Sequence, residues 1–284
     1  MKKIISMLLS VVMVCCFCLN LTAKAIMFNP SFDIKSASAL LLNLDTKEVL
    51  YQKNADTQYM PGTLVQIMEA IVVLDTCSNL NMHITVDPTL YTNIETEYPE
   101  DIRYADIKDG DTFTVEELLY AIMLTSSCEA ATMLAHQFGN GSIPNFIAMM
   151  NDKAAELGCT QTNFTNVTGI YDIKQKTTAN DMALIMEYAM SIGKFESIAT
   201  SSAFTPYSPN HERHEEGWTW AHSNLMVQET SEFYMEGAKG IKTANLTRQG
   251  RNIIVEASRD GNNFLVILLA APFNDEEENL QFYH

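Results

Sequence analysis

The stretch from Met60 to Asp75 carries apolar side chains on nearly every face of a helix, with Gly62-Thr63 at its start and Ile71-Val72-Val73-Leu74 near its end. Too few polar positions remain for a surface helix, so this segment must be buried over most of its circumference. A chain that hides a whole helix needs other elements to surround it, and strand signals stand at both ends of the sequence. Ala39-Leu40-Leu41-Leu42 and Val49-Leu50-Tyr51 flank the turn-forming Asn43 to Lys47, which predicts a β-hairpin over Ala37 to Tyr51. Near the other end, Ile253 to Ala257 and Phe264 to Leu269 are joined through Asp260-Gly261, a hairpin turn signal, with Gly240-Ile241-Lys242-Thr243 as the strand before them.

Helical signals dominate from about Thr76 to Phe233. Thr114-Val115-Glu116-Glu117 has the form of a capping box, Ser127 starts another helix, Ile143 to Leu157 form a third, and Thr178 to Asp181 open a fourth that runs through Met190. Strands at both ends with helices between them imply one antiparallel sheet completed by both termini, an α+β arrangement.

The N-terminus reads as a targeting segment. Lys2 and Lys3 precede an apolar run from Ile4 to about Leu21, and Ala23-Lys24-Ala25 forms an A-x-A cleavage site, so residues 1–25 are expected to be a signal peptide, with a retained anchor as the alternative. Val14 before Cys15 argues against lipid attachment. Residues 26–284 form the expected domain, with a sheet lobe over about 26–75 and 236–273 and a helical lobe over about 76–235. Cleavage leaves 15 basic against 35 acidic side chains, near −20 in net charge. Such a balance argues against nucleic acid or an anionic membrane as partner and suits an exported protein in the cell wall, periplasm or medium.

Cys77, Cys128 and Cys159 are far apart and odd in number, which gives neither a disulfide framework nor a zinc pattern. His211 and His214 are three residues apart between Pro209 and Gly217, where a metal-binding helix would want them four apart, so a solvated polar loop is expected there. No cofactor or metal is implied. The acidic run Asp275 to Glu278 is a place for a last helix to begin.

Met60 to Asp75 resembles the active-site helix of the serine D-alanyl-D-alanine carboxypeptidases, the small penicillin-binding proteins that trim peptidoglycan stem peptides. Further matches occur in order at Ala39 to Tyr51, Glu117 to Tyr120, Phe164 to Ile170, Thr177 to Ala183 and Gly240 to Thr243. The resemblance implies the β-lactamase/transpeptidase-like fold, and a peptidoglycan stem peptide or a cell-wall enzyme as partner. Such proteins often carry a further C-terminal β domain and an amphipathic anchor, and a chain stopping at His284 either lacks that module or is a fragment.

The three motifs of that family depart from pattern here. S-x-x-K, which supplies the nucleophile and base, reads Thr63-x-x-Gln66; a side-chain amide takes no proton near neutral pH. Thr63-x-x-Gln66 is also a capping box, in which Thr63 accepts an amide hydrogen and Gln66 reaches back, so a cap rather than a nucleophile and base is expected. S-x-N reads Ser126-Ser127-Cys128: Ser126 keeps the proton-relay position, while Cys128, in a substrate-binding position, is expected to act as a small buried residue. K-T-G reads Lys242-Thr243-Ala244, where the resemblance implies that Lys242 and Thr243 bind the substrate carboxylate and that Ala244 adds a Cβ where substrate would lie against the strand. Ser191-x-x-Lys194 is the only literal S-x-x-K and is set aside because it follows a helix whose stop is read at Gly193. The expected function is a carboxypeptidase homologue with impaired acylation, acting by binding or regulation. The alternatives are a weak carboxypeptidase using Thr63, with Lys242 as base and Ser126 in the proton path, and a purely structural partner of cell-wall enzymes.

Overall fold

A computed structural model of the chain describes residues 28–207, 218–247 and 249–272. The expected signal segment 1–25, the His211 to Glu216 cluster and the acidic run from Asp275 lie outside the described residues.

The N-terminal hairpin forms as its sequence predicts, from β1 (Ser38–Asn43) and β2 (Val49–Lys53) in antiparallel register. Its turn is fixed by Asn43, whose side-chain oxygen accepts from the amides of Asp45 and Thr46, both at 2.9 Å, and by Lys47 in the left-handed region at φ 62°. The C-terminal strands are β7 (Ala238–Leu246), β8 (Gly250–Arg259) and β9 (Asn262–Ala271). Asp260 (φ 51°) and Gly261 (φ 77°) make the two-residue turn between β8 and β9, both in the region that such a turn demands. The five strands run β2-β1-β9-β8-β7, so among the described residues the last strand in sequence pairs with the first, and strands from both ends of that range share one antiparallel sheet.

The apolar run becomes helix α1 (Val65–Thr76), entered through a 3-10 turn over Gly62–Leu64, and every residue from Val65 to Val73 is buried. Four helices pack against it: α3 (Cys128–Phe138), α4 (Ile143–Glu156), α5 (Ala179–Ser191) and α6 (Gly193–Ala199). Helix α5 also lies on β1 and β9, which joins this layer to the sheet. Side-chain caps decide where these helices begin: Ser127, Ser142 and Thr178 accept from the third residue on in α3, α4 and α5. Helix α2 (Val115–Tyr120) has the full capping box, with Thr114 and Glu117 bonded reciprocally.

The helical region is not purely helical. It contains the antiparallel pair β3 (His83–Thr85) with β4 (Thr112–Thr114) and the short pair β5 (Ala203–Phe204) with β6 (Trp220–Ala221). Gly193 is not a stop either: the chain turns at Ile192, which has extended dihedrals, and Gly193 opens α6. Three- and two-residue strands leave too short an alternation to be read from sequence.

Candidate active site

Three elements converge beside the start of α1. The 3-10 turn brings Thr63, α1 brings Gln66 and Glu69, a π-helical turn over Ala121–Thr125 delivers Ser126, and β7 brings Lys242 and Thr243. Two residues make the close approach of these elements possible. Asn252, at an irregularity in the β8–β9 pairing, donates to the carbonyls of Met60 and Pro61, each at 3.0 Å, and accepts from Ala270 N at 2.8 Å, which ties the entry of α1 to the sheet. Gly169, at φ 75°, lies so near Thr63 that an added Cβ would fall 2.5 Å from the Thr63 backbone.

The capping box expected of Thr63 and Gln66 does not form. Thr63 already lies inside the 3-10 turn, so its hydroxyl faces the strand and donates to the Thr243 carbonyl at 2.9 Å, while Leu64 occupies the cap position with no side-chain bond. Gln66 reaches across to the adjacent element instead of back along its own helix. Its amide nitrogen makes two long contacts, 3.4 Å each, to the carbonyls of Ser126 and Ser127, and its oxygen Oε1 is buried without a partner.

Ser126 and Lys242 meet directly: the lysine Nζ lies 2.5 Å from the serine Oγ and 3.4 Å from the Met123 carbonyl. Ser126 holds φ 63°, ψ 32°, an uncommon left-handed conformation for a residue with a Cβ, at the end of the π-helical turn. Lys242 is fully buried, and that burial lowers its ammonium to about 7 while the carboxylate of Glu69 pulls the other way. Burial likewise pushes the Glu69 carboxyl well above the usual range, with Lys242 opposing, and neither of its oxygens has a hydrogen-bond partner. A dry site penalises the charged form of each group, and the opposite charge of the neighbour works against that penalty in both. Glu69 belongs to none of the three motifs. Its signal in the sequence is that it is the single charged residue between Met60 and Leu74.

The remaining motif positions are accounted for by packing. Cys128 is buried, its thiol is pushed up to about 12 chiefly by burial, and its amide donates to the Arg103 carbonyl at 2.8 Å. Thr243 keeps a hydroxyl contact of 2.7 Å with Ser223. Ala244 does not present its methyl to a strand edge open for substrate: it is 2% exposed and faces Gly62, where an added Cβ would come within 3.0 Å of its own. His222, beside the site, is held near 4 by burial and by the Lys242 charge; its Nδ1 accepts from Asn224 N at 2.9 Å and its Nε2 has no partner.

Ser191-x-x-Lys194 lies apart from these residues. The Ser191 hydroxyl donates to the Tyr188 carbonyl at 2.6 Å, and Lys194 pairs with Glu116. Among the described residues no cluster of three metal-ligating side chains occurs. A cavity of about 660 Å³ lies between residues 28–36 and the sheet, and shares no residue with the site.

A sheet closed by both chain ends and covered by a helical layer matches the β-lactamase-like fold of the DD-peptidases. The chain belongs to the D-alanyl-D-alanine carboxypeptidase family, whose sequence profile matches residues 23–272. It is 29% identical to a D-alanyl-D-alanine carboxypeptidase of Streptomyces sp. strain K15 over 84% of this chain and 81% of that protein. It is 27% identical to D-alanyl-D-alanine carboxypeptidase DacF of Bacillus subtilis over 99% of this chain and 69% of that protein. The crystal structure of the Streptomyces K15 DD-transpeptidase superposes with a TM-score of 0.76 at 27% identity, covering 90% of this chain and 98% of that one.

Proposed function

We propose that this protein is an exported D-alanyl-D-alanine carboxypeptidase homologue directed at peptidoglycan stem peptides, with acylation at Thr63 impaired, acting in the cell wall by binding or regulation. One observation carries the reading: in the place of the family's nucleophile and base stand a hydroxyl committed to the Thr243 carbonyl and an amide that takes no proton. The binding half of the site is less altered. Lys242 and Thr243 stand on β7 beside the start of α1, where the resemblance puts recognition of the substrate carboxylate. Cys128 by itself does not mark loss of function, since solved variants of the Streptomyces K15 transpeptidase replace a serine and a cysteine two residues apart, the spacing of Ser126 and Cys128.

Calorimetric titration with an N-acylated peptide ending in D-Ala-D-Ala tests this reading. Binding heat that is lost in Lys242→Ala is expected, with the melting temperature of that variant measured alongside. No heat, or heat unchanged in a folded Lys242→Ala, would remove the peptide-binding claim and leave a structural partner of cell-wall enzymes.

A further inference from the structure

Several hydroxyls surround the site, and their partners differ. Thr63 donates to the Thr243 carbonyl, and Thr243 and Ser223 bond each other. Ser126 alone among these four touches a group able to take its proton, the Lys242 amine at 2.5 Å. The same serine is held in a left-handed conformation at the end of a π-helical turn, two features that concentrate where a backbone is strained for function. Gln66 adds a donor: its amide nitrogen is held only by two 3.4 Å contacts to the carbonyls of Ser126 and Ser127, and such weakly held N–H groups beside Ser126 suit a developing oxyanion.

We propose that Ser126 is the acyl-accepting nucleophile of this protein, with Lys242 as its base, Gln66 as oxyanion donor and Glu69 as a positioning residue that acts through the lysine. The inference rests on the reading that this site faces an acyl-D-Ala-D-Ala terminus or its β-lactam mimic. Ser126 Oγ bonds to the substrate carbonyl carbon as its proton passes to Lys242 Nζ. The carbon–nitrogen bond then breaks, and the leaving nitrogen takes that proton from Lys242. Water later cleaves the Ser126 ester: its oxygen joins the acyl carbon as its proton passes to Lys242 Nζ, the bond from that carbon to Ser126 Oγ breaks, and Lys242 returns the proton to Oγ. With a penicillin the broken bond is the lactam amide, so the product stays attached and the ester can be observed. Ser126 is 5% exposed, comparable to Thr63 at 7%, so acylation is expected to be slow.

Prolonged incubation of the full chain with a fluorescent penicillin, followed by trypsin and tandem mass spectrometry, locates the adduct. Cleavage after Lys53, Arg103, Lys108 and Lys153 puts Thr63 in fragment 54–103 and Ser126 in fragment 109–153. An adduct on Ser126, absent from Ser126→Ala, is the expected result. An adduct on 54–103, or no adduct at all, overturns the proposal, and mapping on the unaltered protein decides this even where the variant does not fold. Peptide binding heat without labelling would overturn the Ser126 assignment and leave the proposed function standing.

The pH profile separates Glu69 from a merely structural residue. Labelling needs a neutral Lys242, so its rate should rise about tenfold per pH unit below a midpoint near the lysine's own value and level off above it. Glu69 raises that value, so Glu69→Gln should move the midpoint to lower pH. An unmoved or raised midpoint would refute the role given to Glu69.

Discussion

Single residues here are governed by what burial does to charge. His222 ordinarily titrates at 6.5 and is held near 4 in the folded protein. Between those values the unfolded chain binds a proton that the folded one refuses, so stability falls as pH drops from 6.5 to 4. The loss attributable to this group is on the order of 3 kcal/mol. His222→Asn should therefore give a shallower fall of melting temperature across that window, and parallel slopes for the two proteins would show that His222 is not the cause. The lone glutamate of α1 follows the same physics with the opposite sign. A carboxyl raised far above its ordinary value binds a proton in the folded state that the unfolded chain has released, so it withdraws stability as pH rises past its ordinary value of 4.5. Thr63 and Gln66 show the limit of local reading at this scale: their spacing satisfies a cap, but a hydroxyl goes to the acceptor that its backbone points it at, and here that acceptor is on a strand 180 residues away in sequence.

At the scale of elements, the site depends on how α1 is fastened to the sheet. Asn252 satisfies three backbone groups from two chain segments with one amide side chain, and it is itself buried. Asn252→Ala would leave two carbonyls and one amide hydrogen without partners in a dry environment, at a cost of about 2 kcal/mol or more. A lowered midpoint in urea unfolding is the expected outcome, and unchanged stability would mean that water takes over the bonds. Elements whose determinants are local were legible beforehand. The box at Thr114, the cap at Thr178 and the turn at Asp260-Gly261 each form as the sequence predicts, because the partners lie within three residues of one another. The π-helical turn and the bulge at Asn252 were not legible, since each is imposed by neighbours from elsewhere in the chain.

At the scale of the whole fold, the order β2-β1-β9-β8-β7 makes the last strand among the described residues a central one. Strand β9 pairs with β1 on one side and β8 on the other, so a chain ended at residue 259 would lose both ladders and leave the N-terminal hairpin unpaired. Such a chain should show no cooperative thermal transition by circular dichroism, whereas a sharp transition would mean that the helical layer folds without the closed sheet.

The sequence by itself determined the long helices, the strands of the main sheet, their order and the family, because periodicity, caps and turns act over a few residues and motifs keep their spacing along the chain. It also determined that Gln66 is no base, which is a matter of functional group alone. Only the tertiary structure decided which hydroxyl meets which amine. Ser126 and Lys242 are 116 residues apart, and Glu69 enters their company only when α1 is buried between a helical layer and a strand. Proton affinities there follow from the exclusion of water and the charges that face one another, and neither exists until the chain has folded.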